Sequence, residues 1–417
     1  MNKNKRLLII DALNMYFRAY IVNPSLSTNG HPIGGLMGFL KILQKLIRET
    51  KPDGIVVCWD GAGGSKKRKS INKNYKAGRK PIRLNRSIRN MSEEEELKNK
   101  VWQQTRLVEL LNEMPIIQLM LESVEADDII SCVANHKVYN SWQKVIVSSD
   151  KDFFQLCDDK TVVFRPIQKE VLNVSRLVEK FGIHPTNFAL ARAIVGDKSD
   201  NLDGVPGVGM PTVAKRLPFL KEGKTYTIGD VIEYCEQVEK PVKAHLNIAE
   251  SADVIHENYK LMQLYSPSIS VQGRRFIDET LKNFEPEFNK TAVQTMMIED
   301  GFAAYNWMEM FSIFRSFCYK KTWSSKNPLK HVKLKHMKVG DLVQHVIYGH
   351  GIIMKLRKIS PWQHQVATVY FNNGFIEDIL TMYLFPVEKP WQQKQDELDC
   401  SYEYFCNRGP WRSGRLG

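Results

Sequence analysis

The chain has 417 residues, 59 Lys and Arg against 46 Asp and Glu, and a formal net charge of +13. That length permits two or three domains, and the basic balance favours a polyanionic partner such as nucleic acid over an acid-rich solvating role. Seven Cys without regular spacing, no signal-peptide pattern and no long uncharged apolar run argue against a disulfide or zinc framework and against a membrane protein, and imply reduced thiols in a cytoplasmic compartment.

In chain order, KRLLIIDALN at Lys5–Asn14 reads as a buried strand ending in Asp11. Leu36, Phe39, Leu40, Leu43 and Ile47 then recur at helical spacing before a second strand, GIVVCWDGAGG at Gly54–Gly64, that ends in Asp60. This is the βαβ rhythm of a parallel sheet. From Gly61 to Ser92 the pattern stops: eleven Lys or Arg and no Asp or Glu occupy the segment. Its place directly after Asp60 makes it a basic arch beside a crevice, able to meet the phosphates of a threading strand, rather than a free basic loop. EEEE at Glu93–Glu96 suits the positive start of the next helix. VEADDIIS at Val124–Ser131 opens an apolar helix with Glu125, Asp127 and Asp128, and in VIVSSDKDFFQL at Val145–Leu156 the acids Asp150 and Asp152 leave the end of an apolar strand. GDKSDN at Gly196–Asn201 adds Asp197 and Asp200.

A single Asp after a strand is most often a turn or N-cap residue. Repetition at three strand ends argues for more, because an open α/β sheet keeps its ligand crevice at that edge. So many like charges in one crevice repel unless cations neutralise them. Oxygen ligands without neighbouring His or Cys select Mg²⁺ or Mn²⁺ over Zn²⁺.

IIDALN, CWDGAG, YKAGRKP at Tyr75–Pro81, VEADDII, SSDKDFFQL and GDKSDNLDGVPGVG stand in one order along roughly Lys5 to Tyr265. In this the chain resembles the 5′-nuclease superfamily, above all the flap endonucleases and 5′→3′ exonucleases of bacteria and phages, including the exonuclease domain of DNA polymerase I. The resemblance implies an α/β fold with a PIN-like, Rossmann-like parallel sheet at 1–180, carrying a helical arch at 61–92, and a helix–hairpin–helix (H3TH) region at 181–267 that binds duplex DNA. It also implies hydrolysis with two Mg²⁺ ions, for which Mn²⁺ can substitute. Asp11, Asp60, Glu125 and Asp127 then surround the first ion and Asp150, Asp152 and Asp200 the second, with Asp128 and Asp197 acting through water. YKAGR corresponds to the family's gateway helix, so Tyr75 stacks on a base while Lys76 and Arg79 hold or polarise the phosphate under attack. In the hairpin, Gly204, Gly207 and Gly209 let backbone amides approach phosphates, with Thr212 and Lys215 beside them. Pro211 departs from the pattern by removing one N–H, and K⁺ is a further cofactor expected there. The implied substrates are 5′ flaps, nicked or gapped duplexes and RNA–DNA primer junctions, cut by a monomer in a bacterial or phage-infected cytoplasm.

Beyond about Pro267 the likeness thins. The Met- and aromatic-rich run Gly301–Tyr319 reads as core within a helical extension at 268–330, ending in the basic linker KNPLKHVKLKH. The segment 331–390 alternates like short strands and is similar to the Tudor-like small β-barrel of bacterial repair helicases, with Gly340, Asp341, His345, Gly349 and Gly351 matching. His345 and His350 have no Cys or carboxylate at ligand spacing and read as turn or surface residues. Tyr348, Trp362 and Phe375 suit a docking surface for a replication or transcription protein, or for DNA itself, and 391–417, with Trp411, reads as a tail. Two alternatives stand beside the nuclease reading. A PIN-type ribonuclease shares the acidic site but needs neither arch nor hairpin; a catalytically weak DNA-binding relative acting as a replication accessory protein would lack some of the acids.

Overall fold

The apolar runs that end in Asp11 and at Trp59 and Val147 are buried on both of their faces, which is why they read as uninterrupted hydrophobic sequence. The computed structural model describes residues 5–79, 82–85, 87–88, 91–302 and 308–314 and five strands between 342 and 386. It divides into two units, Met1–Lys321 and Thr322–Gly417. In the first unit, strands β1 (Arg6–Asp11), β2 (Gly54–Trp59), β3 (Ile117–Met120), β4 (Gln143–Val147), β5 (Thr161–Arg165) and β6 (Glu170–Leu172) form one sheet in the order β3-β2-β1-β4-β5-β6. β1 to β5 are parallel, but β6 runs antiparallel on β5. The expected all-parallel sheet is therefore mixed: Lys169, in the left-handed region at φ 51°, sits in the turn that folds β6 straight back.

Helices α1 (Ala12–Val22), α2 (Gly34–Thr50) and α4 (Glu93–Asn112) contribute to the core on one face, where Leu8 and Ile10 of β1 point; α3 (Lys66–Ile71) lies within the basic segment. Leu7 and Ile9 point to the other face, against α5 (Ala126–Ala134). Ser92 and Glu95 form a capping box on α4, which accounts for the acidic run there. The strand order reverses between β1 and β4, so the carboxyl edge at that junction is the sheet's switch point.

α6 (Val174–Phe181) and α7 (Phe188–Val195) lead into a short ribbon of β7 (Gly196–Asp197) and β8 (Leu202–Asp203), followed by α8 (Met210–Arg216). The helices α9 (Ile228–Gln237), α10 (Lys243–Glu250) and α11 (Ala252–Met262) pack beneath, and Asn258 Nδ2 on α11 braces the ribbon by donating to Ala193 O (3.0 Å) and Asp203 O (2.8 Å). α12 (Val271–Asn283), α13 (Lys290–Glu299) and helical residues 308–314 follow. Met310, Phe311 and Phe314 are buried in the core with α1 and α2, as their spacing predicts.

The second unit contains β9 (Leu342–His345), β10 (Gly349–Lys358), β11 (Gln365–Phe371), β12 (Ile376–Leu380) and β13 (Leu384–Pro386), an antiparallel sheet in the order β12-β11-β10-β9-β13. The basic linker, Gly340, Asp341, Tyr348, Trp362, Phe375 and the tail with Trp411 lie outside the described residues. Among the described residues no helix is long and apolar enough to cross a membrane.

Gly204 illustrates what the ribbon demands of its residues. A Cβ there would stand 2.0 Å from the carbonyl oxygen of Val195, a backbone atom that cannot swing away. Gly207, at φ 73°, has nothing within 4 Å of the same position. Gly204→Ala should therefore cost on the order of 1–3 kcal/mol through overpacking, and Gly207→Ala only the left-handed strain of about 1 kcal/mol. Equal losses in urea unfolding would contradict this assignment.

Candidate active site

The acids converge because three of the site's elements begin or end at the switch point. Asp11 closes β1 and caps α1, its Oδ1 accepting from Asn14 N (3.2 Å) while Oδ2 accepts from Ser148 Oγ (2.8 Å) just beyond β4. Ser148 Oγ in turn accepts from Asp150 N (3.1 Å), and Asp150 Oδ1 accepts from Asp152 N (2.9 Å). Asn14 Oδ1 receives Ser149 N (3.1 Å), fastening α1 to the same loop. Asp60 follows β2, and its Oδ1 accepts from Ala126 N (3.0 Å), which sets the start of α5 and hence Glu125 and Asp127.

Burial is the main force on these carboxyls. It raises Asp11 to about 7, helped by repulsion from Asp60 and Asp150, and raises Asp152 to about 7, helped by Asp150. Asp60 and Asp150 are also raised by burial, and Asp127 well above the carboxylate range by burial and by its neighbours Asp150, Asp11 and Glu125. Burial would raise Asp197 too, but Arg192 and the donors of Ser199 outweigh it and hold that carboxyl below the usual range. Asp197 and Asp200 both act on Asp150. Eight of the nine expected acids thus lie within electrostatic reach of one another.

Internal cations meet these charges. Glu125, 2% exposed, accepts at Oε2 from Arg68 Nη1 (2.8 Å) and Tyr75 OH (3.2 Å), and at Oε1 from Lys76 Nζ (2.9 Å). Arg192 Nε donates to Asp152 Oδ1 (2.9 Å), with Nη2 on Asp197. Arg79 pairs with Asp200 and donates from Nε to Ser199 O (3.2 Å). With the acids turned to these partners, no three acidic, His or Cys side chains among the described residues are grouped to hold one metal ion. The chemistry of the donor set nevertheless fits a hard divalent cation: it is all carboxylate oxygen and crowded, and Asp11, Asp60, Asp127, Asp150 and Asp152 are raised by burial and by a repulsion that a cation relieves.

Three expectations need correction. Asp128 has both oxygens on protein donors, Oδ2 accepting from Arg68 Nη1 (2.9 Å), the atom that Glu125 shares, and Oδ1 from Ser268 N (2.8 Å), so it braces the arch against the chain after α11. Tyr75 does not present a ring to a base: it is 3% exposed and packs on Leu202, Leu261 and Met262. YKAGR is not helical here. Lys76 (φ 57°) and Gly78 (φ 73°) are left-handed, and Lys76 N donates to Asp200 O (2.8 Å), so the segment is a turn docked on the ribbon. In the hairpin, Gly204 serves close backbone packing, while Gly207 supplies a left-handed turn and Gly209 caps α8, on which Thr212 is half-buried and Lys215 exposed.

Arg68 and Arg192 were missed as individual residues by sequence reasoning. Arg68 is one of eleven basic residues in its segment and has no local mark. Arg192 had one: it is the sole charge in the apolar run FALARAIV, and a buried Arg requires a carboxylate partner. A cavity of about 570 Å³ lined by Ser27, His31, Glu95, Trp102 and Asp300 contains none of the nine acids expected at this site.

Comparison with known proteins places these residues in context. The family described as 5′-3′ exonuclease, N-terminal resolvase-like domain, matches residues 6–182. The chain is 29% identical over 300 residues to a 5′-3′ exonuclease of Aquifex aeolicus (strain VF5), covering 71% of this chain and 92% of that protein. It is 30% identical over 263 residues to a 5′-3′ exonuclease of Buchnera aphidicola subsp. Schizaphis graminum, covering 62% of this chain and 83% of that one. The T5 5′-exonuclease, solved with divalent metal ions (zinc) bound, shares the fold at a TM-score of 0.53 and 19% identity, over 67% of this chain and 99% of that chain.

The raised carboxyls make a signed prediction. A carboxyl raised in the folded protein ionises there at a cost that the unfolded chain does not bear. For Asp11 and Asp152 the cost accrues as pH climbs from about 4, the unfolded value, to the folded value of about 7. In a chelator the thermal midpoint should fall across that window, and added Mg²⁺ should raise it more at the top of the window than at the bottom. A Mg²⁺ effect independent of pH would contradict the electrostatic picture of the crevice.

Proposed function

The chain belongs to the family of 5′-3′ exonucleases, and we propose that it hydrolyses phosphodiester bonds at 5′ flaps, nicks, gaps and RNA–DNA primer junctions with the help of two Mg²⁺ ions. The observation that carries this reading is the crevice itself: eight mutually repelling acids at the switch point of the sheet, with the cationic arch turn lying on them. Asp11, Asp60, Glu125 and Asp127 would hold one ion and Asp150, Asp152 and Asp200 the other, with Asp197 acting through water. Bound there, the ions supply Lewis-acid activation of water and of the leaving oxygen.

The chain's own residues do the rest. Lys76 and Arg79 hold the phosphate under attack in place of Glu125 and Asp200. Ser148 and Asn14 keep Asp11 and the Asp150 loop in register, and Arg192 pairs with Asp152 and Asp197 and offsets part of their charge. The turn at Gly207 and Gly209, with Thr212 and Lys215, meets the duplex backbone without reading bases, with K⁺ as its added cofactor. Products would carry a 5′-phosphate and a 3′-hydroxyl. The second unit would be a Tudor-like module that docks a replication or transcription protein and takes no part in hydrolysis.

One assay tests these points together. Labelled flap, nicked, gapped, blunt and RNA-primed substrates are given to the full chain, to a chain ending at Lys321 and to Asp150→Asn. Chelation should abolish cleavage, and Mg²⁺ or Mn²⁺ should restore it. The shortened chain should cut the flap at the full chain's rate, and Asp150→Asn should keep DNA affinity within a few-fold while losing most turnover. Hydrolysis in excess chelator would rule out the metal-dependent reading, and loss of folding in the shortened chain would rule out the docking role.

A further inference from the structure

Lys76 holds Glu125 in a manner unlike that of the carboxylate's other donors. Arg68 is tied elsewhere as well, its Nε to Leu261 O (3.0 Å) and its Nη1 shared with Asp128 (2.9 Å), so it can keep Glu125 Oε2 whatever happens at Oε1. Lys76 Nζ is fixed by the salt bridge to Oε1 (2.9 Å) and lies 4.9 Å from the centre of the Tyr75 ring. Its backbone is docked separately through Asp200 O, so the ammonium can leave Glu125 without undoing the turn. Asp127 and Asp60 feel the same positive charge.

From this geometry we propose that Lys76 is the internal counter-ion of the crevice and competes with the divalent cation for Glu125 Oε1. The inference rests on the metal-dependent reading above and adds a coupling to it. Metal loading displaces the ammonium, which becomes available to a substrate phosphate; Arg68, a positioning residue, keeps the carboxylate aimed throughout. A cation that must first displace an internal partner binds more weakly by the fraction of molecules in which that partner is already away. Removing the partner should tighten metal binding, the reverse of what losing a phosphate-binding residue alone would do.

The test is Mn²⁺ binding to the full chain, without DNA, by calorimetry. Lys76→Met should bind Mn²⁺ on the order of fivefold more tightly or better. Lys73→Met removes an equal charge from an exposed position in the same arch and should stay within about twofold of the parent, as befits a screened surface charge. A second measurement needs no variant: acetylation of Lys76, read by mass spectrometry, should accelerate several-fold when Mn²⁺ is added, while that of Lys73 should not. Unchanged or weaker Mn²⁺ binding in Lys76→Met, or a Lys76 acetylation rate indifferent to Mn²⁺, overturns the counter-ion role alone. Failure of the parent chain to bind Mn²⁺ at all overturns the metal-dependent reading with it.

Discussion

Buried like charges at the carboxyl edge of β1 and β4 are the constraint to which the surrounding structure answers. A carboxylate within a protein is tolerable only when paired or protonated, and this crevice gathers eight that press on one another. The fold meets the demand from two directions. Arg192 rises from α7 to hold Asp152 and Asp197, and the segment after β2 brings Arg68, Lys76 and Arg79 to Glu125, Asp128 and Asp200. The arch is therefore electrostatic in purpose before any nucleic acid arrives.

That arrangement also explains why the arch turn, the ribbon and α11 behave as one assembly. Tyr75 is buried between Leu202 of the ribbon and Leu261 and Met262 of α11, and its hydroxyl reaches Glu125. Asn201, left-handed at φ 57°, donates from Nδ2 to Asn74 O (3.0 Å). Asn72 Nδ2 donates to Glu257 (2.6 Å) and Lys67 Nζ to Ser268 O (2.9 Å). The arch is thus linked to the ribbon, to α11 and to the chain after it through packed side chains and hydrogen bonds.

Much of this was legible in the sequence, for a physical reason. A parallel strand between two helical layers is apolar on both faces, so the first acid after it marks the carboxyl edge, and Asp11, Asp60 and Asp150 were found in that way. The conformation of YKAGR was not legible, because the left-handed Lys76 is imposed by a hydrogen bond to Asp200 O, more than a hundred residues away, and not by local propensity. Asp128 was expected to act through water because VEADDII resembles the family's motif, and its protein partners were not legible. Asp128 lies three residues on from Glu125, on the same helix face, and shares Arg68 with it, while its other oxygen is taken by Ser268 N. Tyr75 was expected to stack on a base because YKAGR resembles the family's gateway helix, yet here apolar neighbours bury it.

The central claim is that these acids form one divalent-metal centre held ready by internal cations. Anomalous diffraction from crystals of the full chain grown with Mn²⁺ tests it most directly. The account predicts two manganese peaks, one among Asp11, Asp60, Glu125 and Asp127 and one among Asp150, Asp152 and Asp200, with Lys76 Nζ withdrawn from Glu125. Manganese bound only outside this crevice, or a fully loaded crevice with the Lys76–Glu125 pair intact, would contradict it.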